Sequence, residues 1–347
     1  MITTLPIEEF LLQTGNLPVI DVRTPAEFSQ GHITNAYNIP LFSNEERVQV
    51  GTTYKQKSRE EAILLGFDLV GPKWSQFIKT ALEIAPDKKI GVHCWRGGMR
   101  SGAMAWALNL YGFEVYLLEG GYKKYRNWVL NKFSEEFPLI ILGGLTGCGK
   151  TRVLKNLHEL GEQVIDLEHL AQHQGSSYGT LGYLVQPTQE QFENDLAHEL
   201  RLTDKGRRLW LEDESLTIGK RMIPKALWLQ MREAPMLKMN IPQQERIAAL
   251  AEEYGLLNKD FLIECTERIG RRLGPEQTRD AVLAINENRM QDFVRLVLVY
   301  YDKTYNTGQS HRETEKIFDL GCELNDPLVN AQHALQLAEQ LENVYGT

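Results

Sequence analysis

Apolar and polar positions alternate along this chain in two separate stretches of mixed strand and helix character. Pro18-Val19-Ile20-Asp21-Val22-Arg23 is a short apolar run ending in charge, which predicts a strand, and the polar stretch from Thr24 to Gly31 holds a helix-like turn. Ile90–His93 and Glu114–Leu118 predict two further strands, with amphipathic stretches at 73–84 and 99–110 predicting helices around them. This alternation implies a mostly parallel sheet, which places chemistry at the carboxyl ends of its strands. A second stretch begins with the apolar run Phe137–Leu142, enters a glycine-rich segment and continues into a helical pattern over Arg152–Leu160. Strand ends are predicted at Val164-Ile165-Asp166 and Leu209–Glu212, and Phe261–Cys265 reads as a strand completing this second sheet. From about 243 to 297 apolar residues otherwise recur at three- and four-residue intervals, as in helices, and one helix from Pro327 closes the chain.

Composition narrows the class. The 347 residues predict two domains at roughly 100–200 residues each, with a first domain at 1–130, a second at 131–310 and an acidic helical tail at 311–347. With 42% hydrophobic and 24% charged residues the chain is expected to be a soluble globular protein, not a disordered segment or a coiled-coil rod. No apolar run is long enough to span a bilayer, and Met1–Gly15 lacks the basic region and cleavage site of a signal peptide, so no membrane partner and a cytoplasmic location are expected. Cysteines at 94, 148, 265 and 322 fit neither a disulfide framework nor a zinc ribbon. The net charge of −8 excludes a protein coated in positive charge, but residues 311–347 alone hold two basic and seven acidic side chains. Local basic clusters therefore remain able to meet a polyanion.

The first chemical signal is His93-Cys94-Trp95-Arg96-Gly97-Gly98-Met99-Arg100-Ser101, directly after a strand. Two glycines let backbone N–H groups converge, the following helix start adds positive potential, and Arg100 can reach back over the loop. That field should lower the Cys94 pKa and yield a nucleophilic thiolate, with Arg96 and Arg100 beside it. The pattern resembles both the loop of cysteine-dependent phosphatases and that of rhodanese-like sulfurtransferases. Asp21-Val22-Arg23-Thr24-Pro25-Ala26-Glu27-Phe28, Gly31-His32-Ile33, Asn38-Ile39-Pro40 and Glu119-Gly120-Gly121-Tyr122 favour the rhodanese-like fold. Asp21 and Arg23 then read as structural, and His32 as a packing histidine.

The second signal is Gly144-Leu145-Thr146-Gly147-Cys148-Gly149-Lys150-Thr151, which matches Gly-x4-Gly-Lys-Thr in full between a strand and a helix. Gly144, Thr146, Gly147 and Gly149 would shape a phosphate cradle, Lys150 would reach the outer phosphates, and Thr151 is placed to hold magnesium. Cys148 is a loop filler. Acidic candidates for a metal or base follow at Asp166 and at Glu212-Asp213-Glu214. Glu168, His169, His173 and Ser176 lie in a polar segment that ends in a Ser/Gly turn. The two histidines, four apart, are read as substrate contacts, with packing or metal binding as alternatives. Thr188 and Gln191 stand in capping-box relation at a helix start. Arg207, Arg208, Lys220, Arg221, Arg271 and Arg272 are candidate phosphate contacts for RNA.

A rhodanese-like domain followed by a P-loop domain, with Cys94–Ser101, Gly143–Thr151, Asp166–His169, Gly175–Gly179, Trp210–Ser215 and Ile218-Gly219, resembles the tRNA 2-selenouridine synthase family over nearly the whole chain. Gln174 departs from the arginine that the family often carries there. The resemblance implies an α/β fold, a rhodanese-like parallel-sheet domain and then a P-loop NTPase-like α/β domain with a helical C-terminal region. It implies a transferase that converts 2-thiouridine at the tRNA wobble position to 2-selenouridine through an S-geranyl intermediate. Its substrates would be geranyl diphosphate and selenophosphate, without a tightly bound cofactor, and a selenophosphate-producing enzyme would be a partner. Cys94 would handle selenium, the P-loop the geranyl diphosphate, and Glu168, His169 and Ser176 would lie near the diphosphate or base, with Tyr178, Tyr183 and Trp210 as candidate stacking platforms for that base. Two other readings use the same motifs: a P-loop ATPase or kinase with a regulatory rhodanese module, and a persulfide carrier that does not act on RNA.

Overall fold

The computed structural model describes every residue except Gly175, Gly182, Ser310, His311, Glu323, Gly346 and Thr347. Gly175 belongs to the Ser/Gly turn expected to meet substrate and so lies outside the described residues. Two compact units emerge, one of Met1–Lys132 with Glu193–His198, the other of Phe133–Phe192 with Glu199–Thr347.

The first unit is built on five parallel strands: β1 (Ile2–Leu5), β2 (Val19–Asp21), β3 (Tyr37–Asn38), β4 (Lys89–His93) and β5 (Glu114–Leu118). They lie in the order β1-β5-β4-β2-β3. The central strands are apolar on both faces, as a sheet covered by helices requires, and Ile20, Ile90, Val92 and Val115 are fully buried. Because β2 pairs with β4 so that Asp21 faces His93, the ends of these two strands open onto the same edge as the Cys94 loop.

The second unit holds β6 (Leu139–Gly144), β7 (Gln163–Val164), β8 (Leu209–Glu212), a short antiparallel hairpin of β9 (Thr217–Ile218) and β10 (Arg221–Met222), then β11 (Met236–Asn240) and β12 (Ile317–Gly321). Its main sheet runs β12-β11-β6-β8-β7, all parallel. The chain thus passes from β6 to the outer position β7 and returns beside β6 as β8. That return sets Glu212 opposite Leu142, next to the strand that feeds the phosphate loop. Open α/β sheets place ligands at such crossings of the chain order.

One predicted strand is a helix. Phe261–Cys265 lies inside the helix Lys259–Leu273, started by Asn258, whose side chain accepts from the N–H groups of Asp260 and Phe261. Leu262, Cys265, Ile269 and Leu273 form its buried stripe, a helical spacing. This helix packs in a separate apolar core with the helices Gln243–Gly255, Pro275–Asn286 and Met290–Gln309. The strands that complete the sheet are β11 and β12. As expected, a helix, Pro327–Tyr345, follows Pro327, and Thr188 caps the helix Gln189–Leu202 by accepting from the Gln191 N–H. Among the described residues no helix is long and apolar enough to cross a membrane.

Candidate functional site: a thiolate cradle and a phosphate loop

Cys94 leaves the end of β4 and is 3% exposed. Its Sγ lies 3.2 Å from the Ser101 hydroxyl. Burial pushes the thiol pKa up, but the Ser101 hydroxyl and the backbone N–H groups of Ser101, Arg96 and Gly98 outweigh it and hold the pKa below the usual thiol value. The loop thus acts as an anion cradle closed around sulfur. Its shape depends on the glycine turn after β5. Gly121 has φ +60°, and a Cβ there would stand 2.3 Å from the Cys94 carbonyl oxygen and 2.5 Å from the Gly97 nitrogen. The following N–H groups of Tyr122 and Lys123 donate to the carbonyls of Cys94 and Trp95.

The two arginines differ from the simple expectation. Arg100 does not lie free over the sulfur: it is ion-paired to Glu27 at 2.8 Å. Glu27 forms the capping box with Thr24 at the start of the helix Pro25–Gln30, and despite its burial the pairing with Arg100 keeps its carboxyl ionised, below the usual range. Arg96 has an exposed side chain and serves the sulfur through its amide. Asp21 and Arg23 form a fully buried pair, as a structural role requires. The Arg23 guanidinium also donates to the Gly31 carbonyl at 2.6 Å and lies 3.6 Å from the Tyr122 ring centre. His32 stacks on Phe28 with ring centres 3.8 Å apart.

Ser101→Ala is expected to move the pH midpoint of Cys94 alkylation by iodoacetamide upward. Alkylation at neutral pH should slow about tenfold, because one hydrogen bond to a charged acceptor is worth about 1.5 kcal/mol. An unchanged pH profile would show that the hydroxyl does not hold the thiolate.

The phosphate loop follows β6. Gly147 has φ +82° and Gly149 precedes the helix Lys150–Glu159 as its N-cap, so the helix begins with its unpaired N–H groups at the loop, the arrangement that binds phosphate. Lys150 donates to the Gly144 carbonyl at 3.1 Å and stands 3.3 Å from Glu212. Burial works against its charge, but Cys148, Glu212, Tyr305 and Glu214 hold its pKa well above the usual lysine value. Cys148, buried in this loop, has its thiol pushed up by burial and is chemically the opposite of Cys94.

Beside Lys150, the carboxylates of Glu168, Glu212 and Glu214 each offer an oxygen within 4.8 Å of the others. The Thr151 hydroxyl lies 3.3 Å from both Glu168 and Glu212. Burial and the neighbouring Glu212 and Glu214 push Glu168 up to about 10; burial raises Glu212 and Glu214 as well. Two buried carboxyls and the half-buried Glu214, facing one lysine and one hydroxyl, form a hard-oxygen donor set that fits the divalent cation implied by a P-loop fold. Asp213, between them in sequence, points the other way, toward Arg312 at 3.4 Å and Arg232 at 3.9 Å. Asp166 caps the helix Leu167–Ala171 through the His169 N–H at 2.8 Å and thereby presents Glu168 to Thr151.

The two histidines do not share a helix face. The helix ends at Ala171, and Gln172 adopts a left-handed conformation, φ +49°. His169 remains exposed, while His173 turns inward between Gly179 and Gly219. Neither belongs to a group of metal-binding side chains among the described residues. Ser176 Oγ accepts from the Tyr178 N–H within its turn.

A family model described as the tRNA 2-selenouridine synthase AAA domain matches residues 137–324, and one for the rhodanese-like domain matches residues 9–127. A tRNA 2-selenouridine synthase from Shewanella frigidimarina is 33% identical over 371 residues, covering 99% of this chain and 95% of its own. The chain belongs to the tRNA 2-selenouridine synthase family. Relatives of the same name from Sulfurovum sp. and Hydrogenovibrio crunogenus are 35% and 37% identical, covering 88% and 84% of this chain and 92% and 89% of their own.

Not every RNA contact expected from the sequence is disposed for it. Tyr178 and Trp210 are fully buried. The Tyr178 hydroxyl pairs with Thr266 at 2.8 Å and the Trp210 N–H donates to Glu162, so neither ring can stack on a base; Tyr183, at 70% exposure, can. Arg207 and Arg208 precede β8 and therefore sit at the sheet edge opposite the phosphate loop. Arg208 is paired with Glu162 there. Lys220 and Arg221 lie on the β9–β10 hairpin, beyond the carboxyl end of β8. Arg271 and Arg272 are exposed at the end of the helix Lys259–Leu273.

Proposed function

We propose that this protein is a cytoplasmic transferase that converts 2-thiouridine at the wobble position of tRNA to 2-selenouridine by way of S-geranyl-2-thiouridine. The observation that carries the reading is one chain holding two anion cradles of different chemistry: a thiol whose pKa is lowered by three backbone amides and a hydroxyl, and a phosphate loop whose lysine is kept charged. In the first step the thiocarbonyl sulfur attacks the allylic carbon of geranyl diphosphate. A C–S bond forms, a C–O bond breaks, the diphosphate departs with the bonding pair, and the N3 proton of the base is lost to solvent. The loop of Gly144, Thr146, Gly147 and Gly149, with Lys150, holds that diphosphate and stabilises the charge it gains on leaving. Thr151 with Glu168, Glu212 and Glu214 would hold a magnesium ion, which supplies charge neutralisation to the diphosphate when bound.

In the second step the selenium of selenophosphate adds at C2, collapse of the adduct expels geranyl thiolate, which takes up a proton, and water then cleaves the P–Se bond and releases phosphate. Alkylation makes this exchange feasible because it turns a poor leaving sulfur into a thiolate. Cys94 handles the selenium, with the amide of Arg96 at its sulfur and Arg100, anchored by Glu27, ordering the helix start behind it. His169 and Ser176 lie on the segment that carries Glu168 and contact the base or diphosphate; His173 packs this segment against Gly219. Lys220, Arg221, Arg271 and Arg272 meet the tRNA backbone. An enzyme that makes selenophosphate is the natural partner, since that donor must be supplied.

The test is incubation of the protein with 2-thiouridine tRNA, geranyl diphosphate and selenophosphate, followed by nucleoside analysis by mass spectrometry. S-geranyl-2-thiouridine is expected with the diphosphate alone and 2-selenouridine with both. Steady phosphate release from ATP with neither nucleoside formed would point to an ATPase or kinase. A persulfide on Cys94 with tRNA untouched would point to a sulfur carrier.

A further inference from the structure

The phosphate loop is held from outside by side chains far from it in sequence. Arg246, on the helix Gln243–Gly255, is 3% exposed. One of its terminal nitrogens donates to the Thr146 carbonyl at 3.1 Å and to Asp302 at 2.9 Å, and the other to Asp302 at 2.8 Å. Its Nε finds no partner among the described residues. One turn further along, Leu250 fills the space beside Gly147: a Cβ on that glycine would lie 2.6 Å from Leu250 Cδ1 and 3.2 Å from the Arg246 carbonyl. Asp302 belongs to the helix Met290–Gln309, and three residues on, the Tyr305 hydroxyl accepts from the Gly144 N–H at 2.7 Å. Residues three apart share a helix face, so one face of this helix holds both limbs of the loop, Gly144 directly and Thr146 through Arg246.

The charge of Arg246 is met by the two oxygens of Asp302, so the arginine acts on the loop as a directed donor more than as a free cation. A phosphate cradle works only when its N–H groups converge and its carbonyl oxygens turn away, since a carbonyl aimed inward would repel the anion. Thr146 is the residue whose carbonyl needs such an anchor, because it precedes the left-handed Gly147 where the chain reverses. We propose that Arg246, oriented by Asp302, is a positioning residue for diphosphate binding, drawing the Thr146 carbonyl outward so that the loop amides face the ligand. The proposal rests on the reading that the phosphate loop takes the diphosphate.

Arg246→Lys separates the two. It keeps a cation opposite Asp302 but exchanges the planar fork for a single ammonium that cannot serve Asp302 and Thr146 in the same geometry. The full-length variant, with a melting temperature near the parent's, is expected to bind inorganic pyrophosphate about tenfold more weakly by calorimetry. Its KM for geranyl diphosphate should rise about as much, with kcat within twofold and selenium exchange on pre-geranylated tRNA unaffected. Arg246→Gln, which cannot ion-pair, should lose more affinity than the lysine variant. Parental pyrophosphate affinity in both variants would overturn the positioning role, as would a fall in kcat with KM unchanged. Absence of pyrophosphate binding by the unaltered protein would instead overturn the assignment of the loop itself.

Discussion

Cys94→Ser is expected to lower 2-selenouridine formation at least about a hundredfold while S-geranyl-2-thiouridine still accumulates. The substitution leaves the shape of the loop nearly unchanged, since one buried atom is exchanged for a smaller one and Gly97 and Gly121 keep their contacts. What it removes is an ionisable group. The Ser101 hydroxyl and the N–H groups of Ser101, Arg96 and Gly98 lower the thiol pKa against the effect of burial; an aliphatic hydroxyl in the same cradle stays protonated at neutral pH and is a poor nucleophile. Cys148→Ser is the matched control. That thiol sits in the phosphate loop with its pKa pushed up by burial, so its replacement should leave selenium exchange within a few-fold. Mass spectrometry of nucleosides from treated tRNA reads both products, and normal 2-selenouridine in the Cys94 variant would end the role assigned to it.

Much of this arrangement is legible in the sequence because its signals are local. β2, β4, β5 and β6 are runs of mainly Val, Ile and Leu that end in a charged or glycine-bearing turn, and both cradles follow directly on a strand. Strands without such residues are harder to read. β11, Met-Leu-Lys-Met-Asn, carries no β-branched side chain and is a strand because it lies between β6 and β12. Phe261–Cys265 shows the converse error. A short, mostly apolar run fits either period, and its helical reading becomes plain only when Ile269 and Leu273 extend the stripe.

The same distinction governs the sites. Glu168, Glu212 and Glu214 can be named from strand ends and a capped turn, but their convergence depends on β8 returning beside β6, an order that no local pattern specifies. Asp166, just after β7, is an equal metal or base candidate in sequence; in three dimensions it caps a helix, and the carboxyls that converge are Glu168, Glu212 and Glu214. Arg246, Tyr305 and Asn325 touch the phosphate loop from 100, 161 and 178 residues away. No motif marks them. The one available hint is an arginine next to the apolar residues Ile247, Leu250 and Tyr254, with which it is buried.

Lys150→Met, close in length but uncharged, is expected to abolish measurable pyrophosphate binding and lower geranyl transfer about a thousandfold. Two losses add. The ammonium no longer meets the phosphate oxygens, and hydrogen bonds to charged groups are worth about 1.5–3 kcal/mol each. Its removal also strips the carboxyl cluster of the cation 3.3 Å from Glu212, and breaking a buried ion pair typically costs about 3–5 kcal/mol. Without Lys150 the carboxyls are driven further toward their neutral forms, since Lys150 is what opposes burial and mutual repulsion at Glu168, Glu212 and Glu214. Calorimetry with pyrophosphate measures the first effect, and single-turnover geranylation of 2-thiouridine tRNA the second. Exchange of selenium into tRNA already carrying the geranyl group should survive in this variant and fail in Cys94→Ser. That opposite pair of losses would assign one chemical step to each cradle, whereas loss of both steps in either variant would mean that the two cradles act on a single step.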